Sequence, residues 1–102
     1  MTYRVDLTER AARDLRLLFL AIHADESEAA ARWFNGMEQA IETLRKSPGR
    51  CSVAPESRRG QAIRQLLYGR KPYVYRILFR VMAEDRVVSV IHIRHGARLP
   101  AS

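Results

Sequence analysis

The stretch that most constrains this chain lies near its end. Tyr73–Val81 and Val87–Arg94 read as two apolar, β-branched runs joined by a short polar turn around Glu84-Asp85. Side chains alternate between the faces of a strand. Tyr73, Tyr75, Ile77, Phe79 and Val81 therefore share one face, while Val74, Arg76, Leu78 and Arg80 share the other. The second run turns basic as it closes, in Ile93-Arg94-His95-Gly96-Ala97-Arg98. Such a pair of strands has one face to bury and one face that presents arginine, so the rest of the chain has to cover the apolar face.

The N-terminal half supplies that cover. Tyr3–Leu7 alternates apolar and polar residues and predicts a short half-buried strand. Thr8 is placed to cap a helix from Glu9, in which Ala11, Leu15, Leu18 and Ile22 recur at helical spacing, widened by Ala12 and Phe19. His23-Ala24-Asp25 ends it. Asp25 with Glu28 has the spacing of a capping box, and a second helix carries Ala30, Trp33, Phe34, Met37, Ala40, Ile41 and Leu44 on one face before Ser47-Pro48-Gly49 stops it. Two amphipathic helices with a short join form a hairpin, with Trp33 and Phe34 as its anchors on the sheet. Residues 47–61 lose all periodicity and read as a surface loop that includes Cys51. Ala62–Tyr68 returns to a strand pattern, and Gly69-Arg70-Lys71-Pro72 turns the chain into Tyr73–Met82. The predicted order is β-α-α-β-β-β, a single α+β domain over residues 1–102, with a helical hairpin packed on one face of an antiparallel sheet.

Charge is unevenly spread. Residues 1–46 hold seven Lys/Arg against eight Asp/Glu, a balance of −1, and residues 47–102 hold eleven against three, a balance of +8. Lys46 and Lys71 are the lysines and every other basic residue is arginine, whose planar fork suits phosphate and carboxylate oxygens. The C-terminal half is therefore expected to face an anionic partner, nucleic acid or an acidic protein segment. No apolar run approaches the ~20 residues of a membrane span, no signal peptide opens the chain, and one cysteine permits no internal disulfide. The expected location is cytoplasmic.

Few chemistries fit. His92 and His95 are three apart on a strand and Cys51 has no spaced partner, so no metal site or cofactor is expected. There is no glycine-rich phosphate loop and no nucleophile elbow, and carboxylates are too scarce in the C-terminal half for a paired acid/base site to be expected. What remains is Arg64, Arg76, Arg80, Arg94 and Arg98 with His92 and His95, a set able to hold phosphate or carboxylate groups. Register decides which of them meet. A two-residue turn at Glu84-Asp85 pairs Arg76 with Ile93 and Arg80 with Ser89; a shift of one residue gathers Arg76, Arg80, His92 and Arg94 on one face.

Several motifs in this order resemble one family: Tyr3-x-Val5-x-Leu7-Thr8 with Ala11 and Leu15; Ala30-x-x-Trp33; Ala40-Ile41-x-x-Leu44-x-x-x-Pro48; Arg64-x-Leu66; Tyr75-Arg76-Ile77-Leu78-Phe79-x-Val81; and Ile91-x-Ile93-x-His95-Gly96-x-Arg98. Together they resemble toxins of the RelE/ParE superfamily of type II toxin–antitoxin pairs, with most likeness to ParE and the plasmid-stabilisation proteins. The resemblance implies a toxin neutralised by a cognate antitoxin, meeting operator DNA only through that antitoxin. It implies a binding surface of Arg64, Arg76, Leu78, Arg80, Arg94, His95 and Arg98, covered by the antitoxin if its apolar members are exposed. Two targets are open. RelE-like members cleave mRNA on the ribosome, for which Arg64, Arg76 and His95 would be the catalytic candidates; ParE-like members poison DNA gyrase without being nucleases. The tail departs from the nuclease pattern, with no tyrosine after Tyr75, and favours a non-enzymatic, gyrase-binding toxin over an endoribonuclease. A member that binds its antitoxin without being toxic is the third possibility.

Overall fold

A computed structural model of the chain describes residues 2–96. Arg98, assigned above to the binding surface, lies outside the described residues. The elements run β1 (Arg4–Leu7), α1 (Glu9–Ala21), α2 (Glu28–Glu42), β2 (Ser52–Val53), β3 (Arg64–Tyr68), β4 (Tyr75–Met82) and β5 (Val87–His95), with single 3₁₀ turns at Thr43–Arg45 and Pro48–Arg50. The two helices pack on a five-stranded sheet of order β1-β5-β4-β3-β2. No described helix is long and apolar enough to cross a membrane.

The α+β architecture and the helical hairpin are as expected, but the sheet is mixed rather than antiparallel. β1 pairs in parallel with β5, Arg4 opposite Val87 and Leu7 opposite Val90, while β2 to β5 are antiparallel. The chain makes a strand where no periodicity marked one: Ser52 and Val53 pair with Gln65 and Arg64. Two residues are too few to show alternation, and pairing with β3 rather than local pattern forms this edge.

Caps explain the helix limits. Thr8 accepts a hydrogen bond from the Ala11 N–H at 3.1 Å and starts α1. α2 starts on Ser27, which accepts from Ala30 N–H at 3.2 Å, so Ser27 and not Asp25 is the cap. Between them His23 takes a left-handed φ of 56° that ends the first helix. The buried stripe of α1 is Ala11, Leu15 and Leu18, and that of α2 is Phe34, Met37 and Ile41. They meet Ile77, Phe79, Val88, Val90 and Ile93 of the central strands. Burying each of the Leu, Ile, Val, Phe and Met side chains among them contributes about 1.5–3 kcal/mol. Cys51, expected in a surface loop, is buried in this core.

Candidate functional site

The face of the sheet opposite the helices is built by β3, β4 and β5, and the segment after β2 folds across it. Ser57 holds that segment: its hydroxyl lies 2.8 Å from the Ala54 carbonyl and 2.9 Å from the Ile63 carbonyl, and accepts from Ile63 N–H. The neighbouring Glu56 is thereby carried over Arg76. Both terminal nitrogens of the Arg76 guanidinium donate to the Glu56 carboxylate at 2.6 Å, and its Nε donates to Gln65 Oε1 at 2.8 Å. Arg94 Nη1 stands 3.5 Å from the same carboxylate. The Arg76 side chain is 1% exposed and that of Glu56 29%. The bidentate Arg76 fork holds the Glu56 carboxyl below the usual carboxylate range against the opposing effect of burial, with Arg94 adding to the pull.

A β-bulge decides which arginines meet. From Met82–Val87 to Phe79–Val90 the strands follow the register in which Arg80 faces Ser89; from Leu78–His92 onward they follow the register shifted by one, in which Arg76 faces Arg94. Ile91 is the extra residue. The hairpin thus uses both registers considered above, one on each side of the bulge. The insertion lets Val88 and Val90 face the helices near the turn and Ile93 do so beyond it.

Of the predicted surface, Arg76, Arg80 and Arg94 share the open face. Leu78 is on that face but only 3% exposed, so it offers no apolar patch to a partner. The Arg80 side chain is half-buried and makes no hydrogen bond or ion pair with the described residues. Arg64 pairs opposite Phe79, and so lies on the helix-covered face, where its Nη1 donates to the Cys51 carbonyl at 2.6 Å. His95 pairs opposite Tyr75, and their rings meet edge to face at 4.9 Å. Arg64, Arg76 and His95 are therefore not one constellation, because alternation puts Arg76 on the opposite face from the other two.

Two groups escaped the sequence reading. Glu56 stood in a segment without periodicity, its one signal being that it is among three acids in a half-chain of +8. Asp14 lay outside the apolar stripe of α1, yet its Oδ2 accepts from the Ile93 N–H at 3.0 Å and lies 2.7 Å from His92 Nδ1. Arg10 Nη2 stands 3.2 Å from His92 Nε2. A guanidinium only donates, so Nε2 accepts and Nδ1–H donates to Asp14. This cluster ties α1 to the edge of β5 just past the end of β1. No group of three or more potential metal ligands occurs among the described residues.

Comparison with solved structures gives the same fold. The chain matches a chromosomal ParDE system from P. aeruginosa at a TM-score of 0.69 and 19% identity, covering 92% of this chain and 96% of that one. It matches a mutant of the E. coli toxin RelE in the free state at 0.61 and 21%, covering 94% and 85%. The RelBE2 toxin–antitoxin complex from Mycobacterium tuberculosis matches at 0.61 and 23%, covering 93% and 99%. None of the curated proteins searched matches the sequence. The sequence model of the ParE toxin of the type II toxin–antitoxin system parDE, however, matches residues 5–100. With nearly the whole chain matched and the fold in agreement, this protein belongs to the ParE toxin family of the RelE/ParE superfamily.

Proposed function

We propose that the protein is a non-enzymatic toxin that arrests growth by binding an essential complex, DNA gyrase foremost, and is held inactive by a cognate antitoxin. The observation that carries the choice against a nuclease is the state of Arg76. Each of its three nitrogens donates to Glu56 or Gln65, its side chain is 1% exposed, and Arg64 and His95 lie on the other face. A phosphate could reach that guanidinium only after Glu56 left it. The accessible cations of the open face, Arg80 and Arg94, suit a binding surface for an anionic partner, and the +8 balance of residues 47–102 suits an acidic antitoxin segment. A cytoplasmic location accords with both partners.

One observation favours a ribonuclease as the second reading. Glu56 is a carboxylate beside two guanidiniums, an arrangement that can take up a proton while positive charge holds a phosphate. A split assay on antitoxin-free protein separates the two: gyrase supercoiling in one arm, cell-free translation with mapping of mRNA 5′ ends in the other. The proposal expects blocked supercoiling and intact mRNA. New mRNA ends that vanish in Glu56→Gln or Arg76→Ala would replace it with the nuclease. A chain that affects neither reaction and does not slow growth on induction is a non-toxic member.

A further inference from the structure

The outer faces of the two helices carry opposite charge. The exposed residues of α1 include Arg10, Arg13 and Arg16 against Glu9, a balance of +2. Those of α2 include Glu28, Glu38 and Glu42 against Arg32, a balance of −2. Between the helices runs a groove of about 390 Å³ lined by Leu15, Arg16, Phe19, Leu20, Phe34 and Glu38. The Phe19 and Phe34 rings meet edge to face at 5.2 Å and join the helices across it. Leu17 and Leu20, one turn apart on α1, are left 58% and 61% exposed. A single exposed leucine is ordinary. Two of them, one lining an apolar groove, with arginines on their own helix and glutamates on its neighbour, make a surface with a definite pattern.

We propose that this face pairs with the same face of a second copy of the chain, about a two-fold axis parallel to the helices. Such an axis lays α1 of one copy along α2 of the other and keeps residues of equal height opposite each other. Arg16 and Glu38 line the same groove, so each Arg16 then faces the Glu38 of the second copy, and each Leu20 faces the second copy's groove. One isologous contact thereby joins basic helix to acidic helix twice. Charge selects this occupant. An acidic protein or an anionic membrane would match α1 and be repelled by the glutamates of α2, and a basic partner would do the reverse. The face itself, turned by the two-fold, is acidic opposite α1 and basic opposite α2. The contact is small. At ~1.5 Å per residue α1 is about 20 Å long, and two helices side by side are about 20 Å wide. Each copy thus offers roughly 400–600 Å², against ~800 Å² for a standard interface. The dimer is therefore weak, with a Kd on the order of 10–100 µM, and salt loosens it. Because the helices cover one side of the sheet, pairing through them leaves the two open faces, with Arg80 and Arg94, pointing away from each other. The dimer is bivalent toward an anionic partner.

The test is sedimentation velocity on the intact, antitoxin-free chain, from well below to well above that Kd. Leu20→Glu, Arg16→Glu and Glu38→Arg change exposed positions and leave the core untouched; circular dichroism checks that each variant folds. The wild type should pass from monomer to dimer with concentration, and each variant should dimerise about tenfold more weakly, a loss of about 1.4 kcal/mol. Arg16→Glu and Glu38→Arg each set like charges opposite one another. An equimolar mixture of these two variants restores opposite charges at both pairs, so it should associate about as well as the wild type. The proposal is overturned if the wild type stays monomeric throughout, if Leu20→Glu leaves the dimer unchanged, or if the mixture fails to associate. It is also overturned if association runs past two copies, because a closed two-fold contact stops at the dimer. None of these outcomes depends on whether the chain arrests growth.

Discussion

Arg76 and Glu56 show how a single residue's meaning depends on what the fold lays over it. Arg76 was legible in sequence as the arginine on the open face of a strand, and it is on that face. Its partner was not legible, because Glu56 lies 20 residues upstream in a segment where no spacing predicts a contact. The pair also sets a stability prediction. Removing one partner of a buried ion pair leaves the other charge uncompensated, at about 3–5 kcal/mol. Glu56→Ala strands the fully buried guanidinium, so it should cost an amount in that range in urea unfolding; Arg76→Ala should cost less, because a partly exposed carboxylate can still hydrate. Equal losses from the two would refute this asymmetry. The pair also predicts a pH dependence. The Glu56 carboxyl is held below its unfolded value of about 4.3, so the unfolded chain binds its proton first as pH falls. The contribution of Glu56 is therefore complete above that value and is lost as pH drops through the lower folded one. Glu56→Gln should unfold with a shallower dependence on pH below about 4.3 than the wild type, and an unchanged slope would show that other carboxylates carry the acid sensitivity.

Between elements, the joints that matter are small. α2 approaches β3 through Gly36, where an added Cβ would overlap the Tyr68 hydroxyl, and that hydroxyl donates to the Trp33 carbonyl at 2.6 Å. Alanine favours a helix interior over glycine by about 1 kcal/mol, yet here the overlap has to be relieved by moving the ring or the helix. Gly36→Ala should destabilise by about 1–3 kcal/mol, and by less in a Tyr68→Phe background, where the oxygen is gone; a melting series on the two single variants and the double variant measures the coupling. At the other helix, Asp14 caps the β5 edge beyond β1, and Thr8 adds a bond from Oγ1 to the Ile91 carbonyl at 3.3 Å. Asp14→Ala should lose about 1–3 kcal/mol for the unpaired Ile93 N–H and speed that amide's hydrogen exchange; an unchanged exchange rate would show that the edge is closed without it. The helices themselves were legible because amphipathic stripes and caps are local signals. The bulge at Ile91 was not, since either register satisfied the alternation of its own half of the hairpin, and only the whole sheet requires both.

For the molecule as a whole, the decisive pairing is the one least visible in the chain. β1 reads as a short alternating segment, and nothing local says that it lies parallel to β5 rather than at the edge of an antiparallel meander. Thr8 and Ile91, bonded at the end of that pairing, are 83 residues apart in sequence. The pairing follows from the fold's economy of edges: β5 holds the centre of the core through Val88 and Val90, and β4 occupies one side of it. Its other side would be an open strand edge if β1 did not pair with its first half and α1 did not cover the second. β1 and the Thr8 cap are therefore a closing element for the whole domain. Single core truncations such as Phe79→Ala should cost about 3–5 kcal/mol and leave a cooperative, weaker protein. Removing residues 2–8 takes away the β5 partner, the α1 cap and the Tyr3 N–H bond to the Arg45 carbonyl together, and should abolish the cooperative transition in urea and the near-ultraviolet signal of the packed aromatics. Should the shortened chain still unfold cooperatively within about 1 kcal/mol of the intact protein, β5 would be held by the helices and β4 alone, and β1 would be only an addition to the edge.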